Sequence, residues 1–329
     1  MKMGRRVVIA LAVISAAAVS ASLEVRHYRA RMGALATTRD FSGKRAFHDL
    51  EELVKLGPRP PGSQGLEQAR KYIARQLSAA GAEVWDDSFI ASTPVGNIPM
   101  TNIIGVIQGD SDSVVMVGGH YDTAKLDSEF FVGANDGGSS TAFLLEMARV
   151  LAHRNNRFTY WVVFFDGEEA LKQWSPSDSL YGSWQLAEKL AGDGTLKRVK
   201  ALILVDMVAD RHLNILRESN STPWLTDLVF NSGRQFGYEP FFGGGTYPVE
   251  DDHLPFLRKR VPAVDIIDLT PFKSYHHTAL DTVDKCSPES LAVVGRVVTV
   301  TLAQLENATG HCHMDLGEGI ELGCNAGRL

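Results

Sequence analysis

Two adjacent glutamates, Glu168 and Glu169, follow directly after an apolar run and a short turn. The run, residues 160–165, has the continuous hydrophobic character of a strand that is buried on both faces of a parallel sheet. Neighbouring carboxylates at the end of such a strand repel each other unless they have different roles. A metal ion separates the roles, because one glutamate can bind the cation while the other stays free as a general acid and base. A solvated acidic loop would contain the same pair, so the interpretation depends on what the rest of the chain brings to this place.

Imidazole and carboxylate side chains recur at the ends of other predicted strands and in small-residue loops. These positions are His120, Asp136, Glu169, Asp206 and His277. Each of them alone has an ordinary explanation as a hydrogen-bonded histidine, a helix cap or a turn residue. Together they form a set of nitrogen and oxygen ligands that suits zinc, which in catalytic sites keeps three protein ligands and an open position.

Strands and helices alternate along most of the chain, and charged residues collect where the strands end. This pattern predicts an α/β fold, with a single globular domain in which a mixed, mostly parallel central β-sheet is flanked by helices. The predicted strands are residues 82–85, 102–107, 114–117, 160–165, 199–205 and 262–267. The predicted helices include residues 65–80, 141–154, 183–191, 219–236 and 287–306, and residues 243–245 are predicted to be a glycine-rich loop.

The composition is that of a globular protein, with 329 residues of which 44% are hydrophobic and 22% are charged. The net charge is -6, and lysine and arginine are scattered along the chain. Nucleic acid is therefore not an expected partner, since its binding requires a clustered basic surface.

The two ends of the chain differ from its middle. Residues 1–22 combine a basic start with an alanine-rich apolar run, which predicts an export signal peptide or an N-terminal membrane anchor. We expect a linker over 23–40, the folded domain over 41–308 and a tail over 309–329. Such a protein would be secreted, periplasmic or anchored, with membrane contact only through that first segment. Cys312 and Cys324 of the tail could close a small loop in an oxidising compartment.

Several short motifs resemble a known superfamily. They are HYD at 120–122, GAND at 133–136, DGEE at 166–169, VDM at 205–207 and YHHTALDT at 275–282. These segments resemble the zinc aminopeptidase-like (M28) superfamily. More narrowly, FFDGEEALKQWSPSDSLYGS at 164–183, EDDHLPFLRKRVP at 250–262 and GPRPPGS at 57–63 resemble the glutaminyl-peptide cyclotransferases, or glutaminyl cyclases. The resemblance covers residues 45–300, which is nearly the whole predicted domain.

The resemblance implies a zinc aminopeptidase-like fold and a metal-assisted reaction. Cyclases of this kind convert the N-terminal glutamine of peptides and proteins to pyroglutamate with release of ammonia, and N-terminal glutamate is a further substrate to consider. The resemblance also implies one zinc ion per chain, bound through Asp136, Glu169 and His277. His120 would then hydrogen-bond the ligands. The alternative is a two-zinc aminopeptidase, in which His120 and Asp206 also bind metal.

The same resemblance implies roles for residues around the metal. Glu168 would carry a proton, and Asp206 and Asp251 would complete a hydrogen-bonded acid chain. Substrate-binding residues would be Trp174, Phe272 and His276.

Two positions depart from the animal cyclases. His276 stands where those enzymes have tryptophan, so it could stack on substrate, titrate or compete as a metal ligand. Asp265 stands where they have a histidine. If Asp265 is buried beside Asp251, one of the two carboxyl groups should hold a proton.

Overall fold

The computed structural model describes residues 41–126, 130–269 and 273–311, which form seven α-helices and eight strands. The helices are α1 (Gly43–Val54), α2 (Gln64–Ala80), α3 (Gly138–Ala152), α4 (Tyr181–Gly192), α5 (Pro223–Gln235), α6 (His253–Arg258) and α7 (Pro288–His311). The strands are β1 (Glu83–Thr93), β2 (Gly96–Ile107), β3 (Ser111–His120), β4 (Phe158–Phe165), β5 (Val199–Asp206), β6 (Ile215–Glu218), β7 (Phe242–Tyr247) and β8 (Ala263–Ile267).

The central sheet has six strands in the order β1-β2-β4-β3-β5-β8. Strands β4, β3, β5 and β8 are parallel to their neighbours in that series, while β1 and β2 are antiparallel. This is the mixed, mostly parallel sheet that the sequence predicts. In the register, His120 pairs with Phe165 and Asp206 pairs with Ile267, so the carboxyl ends of the four parallel strands meet at one edge. Open α/β sheets bind their ligands at that edge.

Strand β4 shows why the sheet needs helices on both faces. All eight of its residues are buried. Val162 and Phe164 pack in the larger core under α1, α2, α3, α5 and α7, whereas Trp161 and Val163 pack in the smaller core with α4 and α6. Successive side chains of a strand point to opposite faces, so a wholly apolar strand is stable only between two layers.

Two predicted elements differ from the structure. The helix expected from residue 219 begins at Pro223, because the preceding residues bind the edge of β8: Thr222 N donates to Ala263 O at 2.7 Å, and Asp265 N donates to Ser221 Oγ at 3.0 Å. The prediction of a loop at 243–245 is wrong. These glycines belong to β7, which pairs in parallel with β6 in a small second sheet.

Some predictions fall on parts of the chain that the structure does not describe. The signal or anchor at 1–22, the linker at 23–40, and the cysteines Cys312 and Cys324 lie outside the described residues. Within the described ranges, no helix combines the length and the apolar character that crossing a membrane requires. Cys286 is buried as a free thiol.

Candidate active site

The ends of the parallel strands bring the predicted site residues to one place. His120 ends β3, Asp206 ends β5, and Glu168 and Glu169 follow the end of β4. Asp136 lies in the loop that enters α3, where Gly137 has a φ of +73°. A Cβ atom at Gly137 would lie 2.3 Å from Asp122 O, so the close approach of the two loops requires glycine.

His277 contacts both of the other predicted metal ligands. His277 Nε2 lies 3.0 Å from Glu169 Oε1 and 3.2 Å from Asp136 Oδ2. Asp136 Oδ2 is buried and makes no hydrogen bond. A buried carboxylate oxygen without a donor is costly unless a cation lies against it. The mixed nitrogen and oxygen donors suit zinc, so these residues fit the metal that the sequence predicts.

A second set of donors shares Asp136 with the first. His120 Nε2 lies 3.3 Å from Asp136 Oδ1 and 3.1 Å from Asp206 Oδ1. Asp206 Oδ1 also accepts hydrogen bonds from Met207 N at 2.7 Å and from Ser140 Oγ at 3.3 Å. His120, Asp136 and Asp206 therefore form either a hydrogen-bonded support for the ligands or a second metal site.

The pKa values of two predicted ligands, His277 and Glu169, indicate that protons would compete with a bound cation. Burial lowers the pKa of His277, but the carboxylates of Asp136 and Glu169 outweigh it and raise the pKa to about 11. Burial, followed by the charge of Asp136, raises the pKa of Glu169 to about 7. A metal ion would displace the proton of His277, and its binding should therefore depend on pH.

Two aspartates that were assigned no role from the sequence hold the ligand loops. Asp122 accepts hydrogen bonds from Glu168 N and Glu169 N, each at 3.2 Å. Asp281 accepts from Asn135 N at 2.8 Å and from Asp136 N at 3.0 Å. Both aspartates lie within the motifs HYD and YHHTALDT, and that position was the signal that could have identified them.

Arg59, from the GPRPPGS segment, connects these loops through hydrogen bonds to their backbone. Its side chain is fully buried and donates to the carbonyl oxygens of Tyr121 at 3.1 Å, Val132 at 2.8 Å and Gly133 at 3.1 Å. Burial lowers the pKa of Arg59 to about 10, so the guanidinium stays charged at neutral pH. A buried cation bound mainly by carbonyl groups balances the carboxylates of Asp122 and Asp136 at longer range.

An acid cluster lies beside Glu168. Asp251 and Asp265 are 3% and 2% exposed, which places both predicted carboxyl groups in the interior. Burial, together with the charges of Asp206 and Asp252, raises the pKa of Asp251 well above its ordinary value. Burial and the charge of Asp251 do the same for Asp265. Buried like charges cannot all ionise, so this cluster retains protons near Glu168.

Burial also raises the pKa of Glu168 well above its ordinary value, and the charges of Glu169 and Asp251 add to the rise against the opposing effect of His120. Glu168 Oε2 lies 3.9 Å from His120 Nδ1. The two adjacent glutamates therefore have different neighbours: Glu169 contacts His277, and Glu168 lies nearest to His120 and within the influence of the charge of Asp251.

A buried histidine that sequence reasoning missed borders this cluster. His253 Nε2 lies 3.1 Å from Glu218 Oε2, and His253 Nδ1 lies 3.9 Å from Asp265 Oδ2. Glu218 also accepts the backbone N–H groups of Asn220, Ser221 and Val249. Burial opposes ionisation of Glu218, but the bonds to His253 and these amides outweigh it and lower its pKa to about 2.

The predicted substrate-binding residues are described only in part. Trp174 is 38% exposed, and its Nε1 donates to Glu250 Oε2 at 3.1 Å, one residue before Asp251. Asp178 accepts three successive backbone N–H groups, of residues 171–173, and so fixes the loop that carries Trp174. His276 lies against His277, and Phe272 is outside the described residues.

The sequence and the fold resemble those of known proteins. The model of "Peptidase family M28" matches residues 102–302. A "Glutaminyl-peptide cyclotransferase-like protein" of Bos taurus is 32% identical over 286 residues, covering 75% of this chain and 72% of its own length. A "Glutaminyl-peptide cyclotransferase" of Boiga irregularis is 30% identical over 298 residues, covering 79% and 80%. The chain therefore belongs to peptidase family M28, and within it to the glutaminyl-peptide cyclotransferases.

Solved structures lead to the same group. A glutaminyl cyclase of an Acidobacteriales bacterium is similar with a TM-score of 0.78 and 40% identity, covering 82% of this chain and 96% of its own. A structure named as a Zn-dependent exopeptidase from Parabacteroides distasonis is similar with a TM-score of 0.72 and 25% identity, covering 81% and 98%. The fold is thus shared between proteins named as cyclases and as exopeptidases, and the site has to decide between the two activities.

Proposed function

We propose that this protein is a zinc-dependent glutaminyl-peptide cyclotransferase, which converts the N-terminal glutamine of peptides or proteins to pyroglutamate and releases ammonia. The observation that carries the proposal is the division between the two adjacent glutamates. Glu169 Oε1 lies 3.0 Å from His277, the predicted ligand, whereas the buried Glu168 lies 3.9 Å from His120 Nδ1 and has its pKa raised in part by the charge of Asp251. Asp136, Glu169 and His277 would hold the zinc ion.

The ion, when bound, supplies a Lewis acid that polarises the γ-carbonyl of the glutamine side chain. The remaining work falls to the protein's own carboxyl groups. The α-amino nitrogen attacks the side-chain amide carbon, a new N–C bond forms, and the bond to the amide nitrogen breaks. One proton must pass from the attacking amine to the departing nitrogen, and Glu168 is the group that would carry it.

The acid cluster would keep Glu168 suited to both halves of that transfer. A proton carrier works best when its pKa is near the operating pH, and an ordinary exposed glutamate is too acidic. Burial and the neighbouring charges raise the pKa of Glu168, which moves it in the required direction. Asp251, raised in the same way, would donate a hydrogen bond to a neighbouring carboxylate while it holds its own proton.

A two-zinc aminopeptidase is the second function to consider, because one specific observation favours it. His120, Asp136 and Asp206 each offer a ligand atom, and these atoms all lie within 4.8 Å of one another. In such an enzyme, Glu168 would deprotonate a water molecule for hydrolysis instead of moving a proton between two nitrogens.

One assay separates the two functions. The purified protein is incubated with a glutamine-initiated peptide while ammonia and loss of the primary amine are followed, and leucine p-nitroanilide is tested in parallel after zinc has been counted. Cyclisation with about one zinc per chain and no anilide cleavage is the expected result. Anilide turnover with two zinc ions would establish the aminopeptidase instead.

We also propose that the protein acts outside the cytosol, on the basis of the basic and apolar character of residues 1–22. Cell fractionation followed by N-terminal sequencing tests this directly. A cytosolic protein that retains residue 1 would contradict the proposal.

A further inference from the structure

His276 and His277 are neighbours in sequence whose rings are stacked. The ring centroids are 3.9 Å apart, and the ring planes differ by 20°. Side chains of consecutive residues ordinarily point in different directions, as they do along a strand. The backbone of His277 has a φ of +51°, in the left-handed region that residues with a Cβ atom seldom adopt. This conformation costs on the order of 1–2 kcal/mol, and it accompanies the parallel placement of the two imidazoles.

A ring nitrogen of each imidazole lies near the same atom. Asp136 Oδ2 lies 3.2 Å from His277 Nε2 and 3.6 Å from His276 Nε2. The three ligand atoms all lie within 4.8 Å of one another. Because Asp136 Oδ2 is buried without a hydrogen bond, both histidines border the place where a cation would be stabilised. Glu169 Oε1, 3.0 Å from His277 Nε2, is the other oxygen donor predicted for this site.

We propose that His276 is a further ligand of the metal site, and that it occupies the fourth coordination position until substrate takes its place. Four protein ligands are typical of closed zinc sites, whereas a catalytic zinc keeps one position open. A fourth ligand that can leave would give the resting site four protein ligands and still open one position for substrate. The displacement by substrate rests on the proposed function, but the ligation itself does not.

His276 and His277 lie at the open side of the site, where their side chains are 21% and 37% exposed. The backbone is held by the bond from His276 N to Lys273 O at 2.8 Å. The adjacent Tyr275 is anchored through its hydroxyl to Asp210 and Asn135. The exchange that we propose is a rotation of the His276 side chain on this anchored backbone.

The exchange itself moves neither protons nor electrons. His276 Nε2 would leave the ion, and the γ-carbonyl oxygen of the substrate glutamine would take the vacated position. The freed imidazole then lies at the mouth of the site, where its flat face could pack on the substrate. His276 would in this way serve both of the uses that its position suggests, ligation at rest and contact with substrate during turnover.

Zinc affinity and zinc spectroscopy test the ligation separately from activity. Zinc binding is measured by chelator competition for the full chain, for His276→Ala, and for the control His48→Ala on the exposed face of α1. Loss of a ligand should weaken zinc binding at least about tenfold, in line with the effects seen even for outer-shell partners, and the control should match the unmodified protein. X-ray absorption at the zinc edge should find two imidazoles in the unmodified protein and one in His276→Ala.

The same spectroscopy tests the displacement. In Glu168→Gln, where turnover should be slow, addition of a glutamine-initiated peptide should lower the imidazole count from two to one. One imidazole in the resting unmodified protein, with unchanged affinity in His276→Ala, would overturn the proposal. Two imidazoles that persist at saturating peptide would overturn the displacement alone. A protein with two imidazoles and no cyclisation would retain the ligation and refute the proposed function.

Discussion

Asp281 accepts the backbone N–H groups of both Asn135 and Asp136, at 2.8 and 3.0 Å, so a residue just before α7 fixes the loop that carries a predicted metal ligand. Neither bond depends on the metal. The orientation of Asp136 is thereby set by a partner 145 residues away in the sequence.

Replacement of Asp281 should weaken metal binding without removing any ligand. In Asp281→Ala both amides lose their acceptor and the Asp136 loop is free to shift, so zinc affinity should fall about 10- to 100-fold, as for other groups that orient ligands. Chelator competition measures the change. Asp284→Ala is the matched control, because Asp284 is exposed and its side chain bonds to its near neighbours Thr282 and Lys285. Equal affinities in the two variants would contradict the role given to Asp281.

The two adjacent glutamates should respond differently to the same substitution. Glu168→Gln should retain zinc but lower kcat about a hundredfold or more, the usual contribution of a general acid and base. Glu169→Gln should instead lose zinc, because the amide is a poor ligand beside His277. Metal analysis and steady-state kinetics of both variants check this. Retention of zinc by Glu169→Gln together with loss of zinc from Glu168→Gln would reverse the two roles.

Trp174 should affect substrate binding more than the chemical step. Removal of its indole in Trp174→Ala takes away an exposed aromatic surface beside Glu250 and should raise KM by up to about tenfold, since an aromatic contact contributes about 0.5–1.5 kcal/mol. Zinc content should not change. Trp224→Ala is a suitable control because Trp224 is 42% exposed near the start of α5. If kcat falls while KM stays constant, Trp174 acts on the reaction and not on binding.

The Glu218 carboxylate should make stability depend on pH in the acid range. Its pKa is lowered from 4.5 to about 2, so the folded state binds a proton less readily than the unfolded state. This stabilisation is fully present above pH 4.5 and is lost as the pH falls toward 2. The shift corresponds to a contribution of Glu218 to the free energy of unfolding on the order of 3 kcal/mol.

Urea unfolding between pH 6 and pH 2 tests that expectation. The difference in free energy of unfolding between the unmodified protein and Glu218→Gln should be largest at pH 6 and should shrink as the pH falls below 4.5. The exposed Glu239, substituted in the same way, provides the baseline. A difference that does not vary with pH would mean that Glu218 acts through packing alone.

The sequence predicted the site better than it predicted the periphery of the fold. Apolar runs such as residues 160–165 identify strands buried on both faces, and the polar residues that follow them must meet at one edge of a parallel sheet. That reasoning placed His120 and Asp206 with the glutamate pair. The sequence analysis expected a shared proton if Asp265 is buried beside Asp251, and both side chains are buried.

What could not be predicted depends on contacts between distant segments. Strand β7 contains the glycines at 243–245, which have no side chains to show the alternating pattern of a strand. The strand is recognised only by its pairing with β6. His253 follows Asp251 and Asp252 in sequence, but its place between Glu218 and Asp265 follows from how α6, β6 and β8 pack. The motifs HYD and YHHTALDT contain Asp122 and Asp281, but the backbone bonds through which these two residues support the predicted ligands are visible only in the structure.

Arg59 ties the formation of the site to a segment far from it in sequence. Its guanidinium is a common donor to loops that lie 62 to 74 residues further along the chain. Those loops carry or adjoin His120 and Asp136. A chain in which the segment before α2 has not docked would lack these bonds, so the predicted metal site should form only in the fully folded protein.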